Sequence, residues 1–340
     1  MRQLNFVKKG KLEWHDVPEP KITGPDQALV HPLAVARCDL DLPVLRGQSL
    51  FRPPFPVGHE FVGQIVATSE DLTDAFSAGD RVVVPFQVSC GSCPRCLARL
   101  SLSCTTVPAG AHFGLGRPAR DYGGALQDLV LVPYARTMLV SFDDSIDPVA
   151  IASISDNITE AWKLAGQYLK EQADRKVLVI GGLAASIGLY TAGLAKSMGA
   201  EVLYADSDRG RLEHAERLGL RVQHFDALPR SLGEFDIAAD ATGDIEGLRT
   251  ALRSITPYGI VGSASIFWTN DAPIPYLDLY NNGARLDIGR VRSREWIPEV
   301  LDAMEKYRYR PEDVVTRVVG LDDAAEAWTT EETKLVVRLE

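Results

Sequence analysis

Lys176-Val177-Leu178-Val179-Ile180-Gly181-Gly182 is a short aliphatic run that stops on two glycines. A run of this kind, rich in β-branched residues, reads as a strand buried on both faces of a parallel sheet. Ser186-Ile187-Gly188-Leu189-Tyr190-Thr191-Ala192 then opens a helical stretch that reaches about Met198, with Gly199 as the glycine that ends it. Glu201-Val202-Leu203-Tyr204-Ala205 reads as the next strand, closed by Asp206. The whole is a βαβ unit with an acid about 20 residues past its glycine turn. Glycines there let the backbone approach a pyrophosphate, and the helix N-terminus turns N–H groups toward it. Gly181, Gly182, Ser186 and Gly188 are the expected phosphate-side residues. Asp206 is the expected partner of the adenosine ribose 2′-hydroxyl, which favours NAD over NADP. Arg209 and Arg211 lie close by and weaken that preference. The turn is two residues longer than the G-x-G-x-x-G fingerprint, so Ser186 is expected to help with the phosphate.

Outward from this unit the alternation continues. Phe235–Asp240, Gly259–Gly262 and Ala284–Ile288 read as further strands, and Ile245–Ser254 as a helix. An α/β, doubly wound, Rossmann-type parallel sheet is therefore expected. With 340 residues the chain has room for a second domain. A net charge of −10 and a pI near 5.2 argue against a nucleic-acid or membrane-surface binder, since both need a basic face. No apolar run approaches the roughly 20 residues of a bilayer span. The first nine residues lack the apolar segment of a secretory signal. A cytoplasmic protein is the expectation, with no nucleic-acid and no membrane partner.

Five cysteines occur, and four of them form Cys90-x2-Cys93-x2-Cys96-x7-Cys104. Such short loops let four thiolates converge on one tetrahedral ion, at about 2.3 Å each for zinc. An iron–sulfur cluster takes the same four thiolates. A site closed by four thiolates has no open position, so its role is structural. Cys38 stands apart. Downstream of it come Gly58-His59-Glu60 and a strand-like run, Phe61–Val66. A thiol and an imidazole on separate segments, with an acid beside the imidazole, can be members of a second metal site.

Taken in order, Cys38, Gly58-His59-Glu60, the four-cysteine lobe, Gly79-Asp80-Arg81-Val82, Gly123-Gly124-Ala125 and the nucleotide unit match one pattern. The tail, Val314-Val315-Thr316 and Leu321–Trp328, continues it. The whole chain resembles the zinc-containing medium-chain dehydrogenase/reductases, the alcohol dehydrogenase superfamily. The resemblance implies a GroES-like, partly open β-barrel catalytic domain over 1–150 and 290–340, carrying the zinc lobe at about 88–106. It implies a Rossmann NAD-binding domain over 151–289, with the active site in the cleft between the two. It implies two zinc ions per chain, one catalytic and one structural. Cys38 matches the first catalytic ligand and His59 the second, while Glu60 matches an acid that ligates or approaches the metal in some members.

The chain departs from the family in two places. Where many members place a third cysteine ligand, Ser153–Ile158 contains none. Asp156 is the best candidate, since it matches an aspartate that some members use at this place, and a thiolate plus a carboxylate still neutralise Zn²⁺. Its alternative role is to cap a helix over Ile158–Tyr168. Leu40 and Pro43 occupy the positions of the usual proton-relay groups, which leaves Asp39 or Glu60, acting through water. Asp41 matches an acid that orients the zinc histidine.

The activity so implied is zinc-dependent hydride transfer between a small-molecule alcohol, or its aldehyde or ketone, and NAD(H), with zinc as Lewis acid on the substrate oxygen. Cys38, His59, Glu60 and Asp156 are its expected catalytic residues. Leu40, Phe86, Phe113, Tyr122 and Trp162 are candidates for an apolar pocket. One alternative is an NADPH-dependent reductase of carbonyls or activated double bonds without catalytic zinc. Another is a non-catalytic protein that senses NAD(H). A homodimer or homotetramer is expected, and Gly262–Pro275 could supply a sheet edge for it.

Overall fold

A computed structural model describes residues 1–339. The chain divides into two compact units. One comprises Met1–Thr159, Arg292–Leu301 and the chain from Val315 onward; the other comprises Glu160–Val291 and Asp302–Val314.

The first unit is built from strands that pair antiparallel, apart from one parallel pair in its tail. β1 (Arg2–Lys8) pairs with β2 (Lys11–Asp16). β3 (Gln27–Ala36) is the central long strand. β4 (Phe55–Pro56) adds to β1, and β5 (Glu60–Thr68) pairs along the length of β3. β6 (Arg81–Val84), β7 (Val130–Pro133) and β8 (Val140–Ser141) extend this sheet. The β3–β5 ladder slips in register on either side of Pro32, which has no N–H to give to it. Phe6, Phe55, Phe61, Phe113 and Trp328 fill the core between these strands.

The second unit is the doubly wound sheet. β9 (Lys176–Ile180), β10 (Glu201–Asp206), β11 (Arg221–His224), β12 (Phe235–Asp240), β13 (Ile255–Ser263) and β14 (Arg285–Ile288) lie in the order β11-β10-β9-β12-β13-β14. All five pairings are parallel. Val177–Ile180 are buried, as a strand covered by helices on both faces requires. The helix after β9 runs Ala185–Ser197, and Gly199 beyond it has φ +98°, the left-handed value of a terminating glycine. β13 begins four residues earlier than the sequence reading placed it, at Ile255. β11 has no apolar run, which is why pattern reading passes over this edge strand.

The chain then returns to the first unit. β15 (Arg317–Gly320) pairs with β16 (Leu335–Arg338), and β16 pairs with β3. The tail thus closes the sheet in which the first unit's candidate site is set.

Candidate functional site

Cys38 lies two residues past the end of β3, and His59 immediately precedes β5. Paired antiparallel, Ala36 and Glu60 face each other, so the two segments deliver their side chains to one end of the sheet. The His59 turn is held by close backbone contact. Ala125 N–H donates to Gly58 O at 2.7 Å, and a Cβ on Gly114 would fall 1.9 Å from that same oxygen. A Cβ on Gly124 would meet Val57 O at 2.2 Å. Only glycine fits at either position.

Asp156 reaches the same point from the segment 153–157. Its Oδ2 lies 3.5 Å from Cys38 Sγ and 3.4 Å from His59 Nε2. It does not serve as a side-chain cap: the local bond runs from Thr159 Oγ1 to the Asp156 carbonyl, at 2.8 Å. Donors held at about 2.0–2.3 Å around a tetrahedral ion are separated by roughly 3.3–3.8 Å, so Cys38, His59 and Asp156 stand at ligand spacing. A Glu60 oxygen joins them, and one donor atom from each of the four lies within 4.8 Å of the rest.

Electrostatics call for a cation here. Burial pushes the Cys38 thiol well above its ordinary range, and Asp156, Glu60 and Asp41 push it further. Burial alone would lower His59, but the carboxylates of Asp41, Asp156 and Glu60 outweigh it and lift the imidazole to about 9. Burial raises Glu60 to about 7 against the pull of Lys334. Three carboxylates and a thiol gather around one imidazole and the Lys334 ammonium, so the cluster is short of positive charge that a divalent metal would supply. Glu60 Oε1 is buried without a hydrogen-bond partner, as an oxygen held in reserve for a metal would be. Asp41 accepts the Cys38 N–H at 3.0 Å and stands 3.7 Å from His59 Nδ1, beyond hydrogen-bond distance, so it ties down the Cys38 backbone and acts on the imidazole through its charge.

Two residues here carry no sequence signal. Lys334 is fully buried, and its ammonium donates to Glu60 Oε2 at 2.9 Å and to Arg37 O at 2.8 Å. Ser153 donates to the same Glu60 oxygen at 2.6 Å. Lys334 lies 274 residues from Glu60, and no spacing rule links them.

The other four cysteines converge in the same unit, all free of disulfides. Cys104 Sγ lies 3.6 Å from Cys90 Sγ and 3.9 Å from Cys93 Sγ, the separation expected across a tetrahedral zinc thiolate site. Backbone N–H groups turn onto the sulfurs: Cys93 N–H onto Cys90 at 3.3 Å and Cys90 N–H onto Cys104 at 3.5 Å. Hydrogen bonds centred on Thr105 and Cys96 hold Cys93 down to about 5. Burial and the neighbouring sulfurs drive Cys96 up to about 12, because each thiolate opposes the next.

In the second unit, a Cβ on Gly181 would fall 2.3 Å from Asp206 Oδ2 and from Tyr204 Oη, and one on Gly182 would meet the Thr242 backbone. The turn therefore lies flat against β10 and the end of β12. Ser186 is buried, and Gly188 packs near Ala241 and Tyr204. Asp206 is fully buried at the end of β10, and its four acceptor positions are filled. Tyr204 Oη donates at 2.8 Å, Asp208 N–H at 2.9 Å, and Arg211 through Nε and Nη2 at 2.7 and 2.8 Å. Arg211 thus stands directly on the carboxylate expected to face a ribose.

Of the pocket candidates, Phe86 lies against the His59 ring at a tilt of 57°, with ring centroids 5.5 Å apart. Phe113 is instead a core residue between Phe61 and Tyr122. Trp162 is buried within the second unit. Among the described residues no helix is long and apolar enough to cross a membrane.

Residues 24–142 match the alcohol dehydrogenase GroES-like domain family. The chain is 32% identical to D-altritol 5-dehydrogenase of Agrobacterium fabrum, over 80% of this chain and 77% of that one. It is 33% identical to L-threonine 3-dehydrogenase of Streptomyces coelicolor, over 72% and 70%. Its fold overlays that of alcohol dehydrogenase TADH from Thermus sp. ATN1 along the full length of both chains, with a TM-score of 0.89 and 26% identity. Sequence likeness at this level across most of both partners, with the fold shared end to end, makes the chain a member of the zinc-containing medium-chain dehydrogenase/reductases, the alcohol dehydrogenase superfamily.

Proposed function

We propose that the protein transfers hydride between the hydroxyl-bearing carbon of a small alcohol and a nicotinamide dinucleotide. The observation that carries this reading is the convergence of Cys38, His59 and Asp156 at 3.4–3.5 Å beside an acid that remains partly unbonded. The first unit is the catalytic domain, and the second, Glu160–Val291 with Asp302–Val314, is the cofactor domain. Cys38, His59 and Asp156 hold the catalytic zinc, and Cys90, Cys93, Cys96 and Cys104 hold a structural one. Zinc at the first site supplies Lewis acidity, which lowers the pKa of a hydroxyl group. Cys38 and Asp156 contribute two negative charges and His59 a neutral nitrogen, so the loaded site is electrically balanced. Glu60 stands beside the site with Oε1 unbonded while Ser153 and Lys334 fix Oε2, so it is placed to pass a proton through water. This replaces the relay that Leu40 and Pro43 cannot form.

In the second unit, Gly181, Gly182, Ser186 and Gly188 accommodate the pyrophosphate, and the cofactor is NAD. The Asp206–Arg211 pair narrows the preference over NADP, because the guanidinium offsets the charge that would repel a 2′-phosphate. Two copies join at the free edge of β14, where Ile288 is exposed; Tyr276, Leu277 and Tyr280, on the helix that precedes β14, are exposed as well.

Metal content per chain tests the reading, together with NAD-linked turnover on a panel including D-altritol and L-threonine. Two zinc ions, with one lost in Asp156→Ala along with turnover, is the expected result. One zinc in both proteins that add-back does not raise would instead favour the zinc-independent reductase. Cofactor binding with no turnover on any alcohol or carbonyl would favour the NAD(H) sensor.

A further inference from the structure

A second buried ion pair lies in the second unit, away from every residue assigned above. Lys163 and Glu160 are both almost fully buried, and Lys163 Nζ lies 2.5 Å from Glu160 Oε1. The ammonium's two other hydrogens go to carbonyls at the carboxyl ends of two neighbouring strands. Gly289 O, just past β14, is at 2.6 Å, and Ser263 O, the last residue of β13, is at 3.4 Å. All three donors are spent.

The local backbone is unusual at this position. Trp162–Gly166 is a π-helical turn, a form that concentrates at functional sites. It sits hard on β13, since a Cβ on Gly262 would fall 2.9 Å from Leu164 Cδ2. Gln167 Nε2 donates to the Lys163 carbonyl at 2.6 Å, and Tyr168 Oη donates to Asp287 Oδ2 in β14 at 2.6 Å. Packing alone does not account for the pair, because apolar residues of the same volume usually stabilise a core as well or better.

Its place in the sheet gives it a use. Strand order reverses between β9 and β12, and a dinucleotide crosses a doubly wound sheet at that point, outside the carboxyl ends of the strands. Asp206 marks the adenosine side on β10. The other half of the dinucleotide then lies over the ends of β12, β13 and β14. Ala264, Ser265, Gly289 and Arg290, just past those ends, are partly or fully exposed. We propose that Lys163, braced by Glu160, is a positioning residue that clamps the ends of β13 and β14 at the spacing needed to receive the nicotinamide half of the cofactor. This role depends on the second unit binding a dinucleotide, as proposed above.

The test compares NADH with ADP-ribose, which keeps the adenosine and both phosphates but lacks the nicotinamide ring. Binding of each is measured by calorimetry on the full-length protein and on Lys163→Met. The expected result is NADH binding weakened about tenfold, with ADP-ribose changed by less than about twofold. The double variant Glu160→Gln/Lys163→Met leaves no stranded charge, so it guards against misfolding, and the same split is expected from it. Equal losses for both ligands would reduce the pair to a structural tie, and no loss for either would remove it from the site. A native protein that binds neither ligand would instead overturn the dinucleotide reading itself.

Discussion

The first unit carries two clusters of potential metal ligands that were assembled in opposite ways. The four-cysteine lobe draws all its donors from residues 90–104, and its own backbone N–H groups point at the sulfurs. The Cys38 cluster gathers donors from segments up to 118 residues apart and embeds them among carboxylates. In the lobe, local hydrogen bonds hold thiolates such as Cys93 in readiness for an ion. Around Cys38, burial works against the thiolate, and only a cation resolves the conflict. A local cluster can be tuned by its own loop, whereas a dispersed one has to be held by the fold.

Removing a dispersed ligand should have the largest consequence. Asp156→Ala is expected to cut turnover by about a thousandfold, because Lewis acidity at the site is lost with the ion. The four-cysteine lobe should keep its zinc, so elemental analysis should read one ion per chain. Retention of both ions would break the contrast by removing Asp156 from the ligand set.

Next in size is the support behind the dispersed cluster. Lys334→Met leaves the Glu60 carboxylate buried without its counter-charge, at a cost of about 3–5 kcal/mol in denaturant unfolding. Adding Glu60→Gln should recover most of that loss. If Lys334→Met alone leaves unfolding unchanged, the pair does not brace the site.

Acid should separate the two clusters. A raised thiol pKa means that protons compete with metal from a higher pH downward. Burial and carboxylates push Cys38 up with no lowered thiol beside it, whereas in the lobe Cys93 and Cys90 are held at about 5 and about 7 against a Cys96 raised to about 12, so the Cys38 site should release its zinc first as pH falls. A chelating dye with stopped-flow readout would resolve two steps, and the first should vanish in Asp156→Ala. Release from the lobe first would reverse the assigned electrostatics.

The smallest expected effect lies in the second unit. Arg211→Ala uncovers Asp206 and should raise the preference for NAD over NADP by about tenfold in kcat/KM. An unchanged ratio would mean that Asp206 does not face the ribose.

Much of this molecule could be read before any coordinates. β9 and β10 stand where an aliphatic run and its glycines placed them, because a parallel strand buried on both faces needs such a run. β11 was not legible, because Arg-Val-Gln-His on an edge has no apolar signature. Asp156 was legible only as a choice between ligand and helix cap, since an aspartate before a helix serves either purpose. Its direction, toward Cys38 and His59, depends on where β3 and β5 bring those residues. Arg211 was visible as a neighbour of Asp206, but not that it would occupy the carboxylate.

By itself the sequence determined what short-range chemistry determines: the doubly wound sheet, the glycine turn and the four-thiolate lobe. Each follows from hydrophobic period, backbone freedom or ligand spacing within about 20 residues. Tertiary structure alone decided the partners of the buried charges. Lys334 meets Glu60 across 274 residues, and Lys163 reaches Gly289 across 126. Neither lysine announces its partner, because a charge enters a core only where the completed fold supplies acceptors to replace water, and those come from whichever strands packing has brought together.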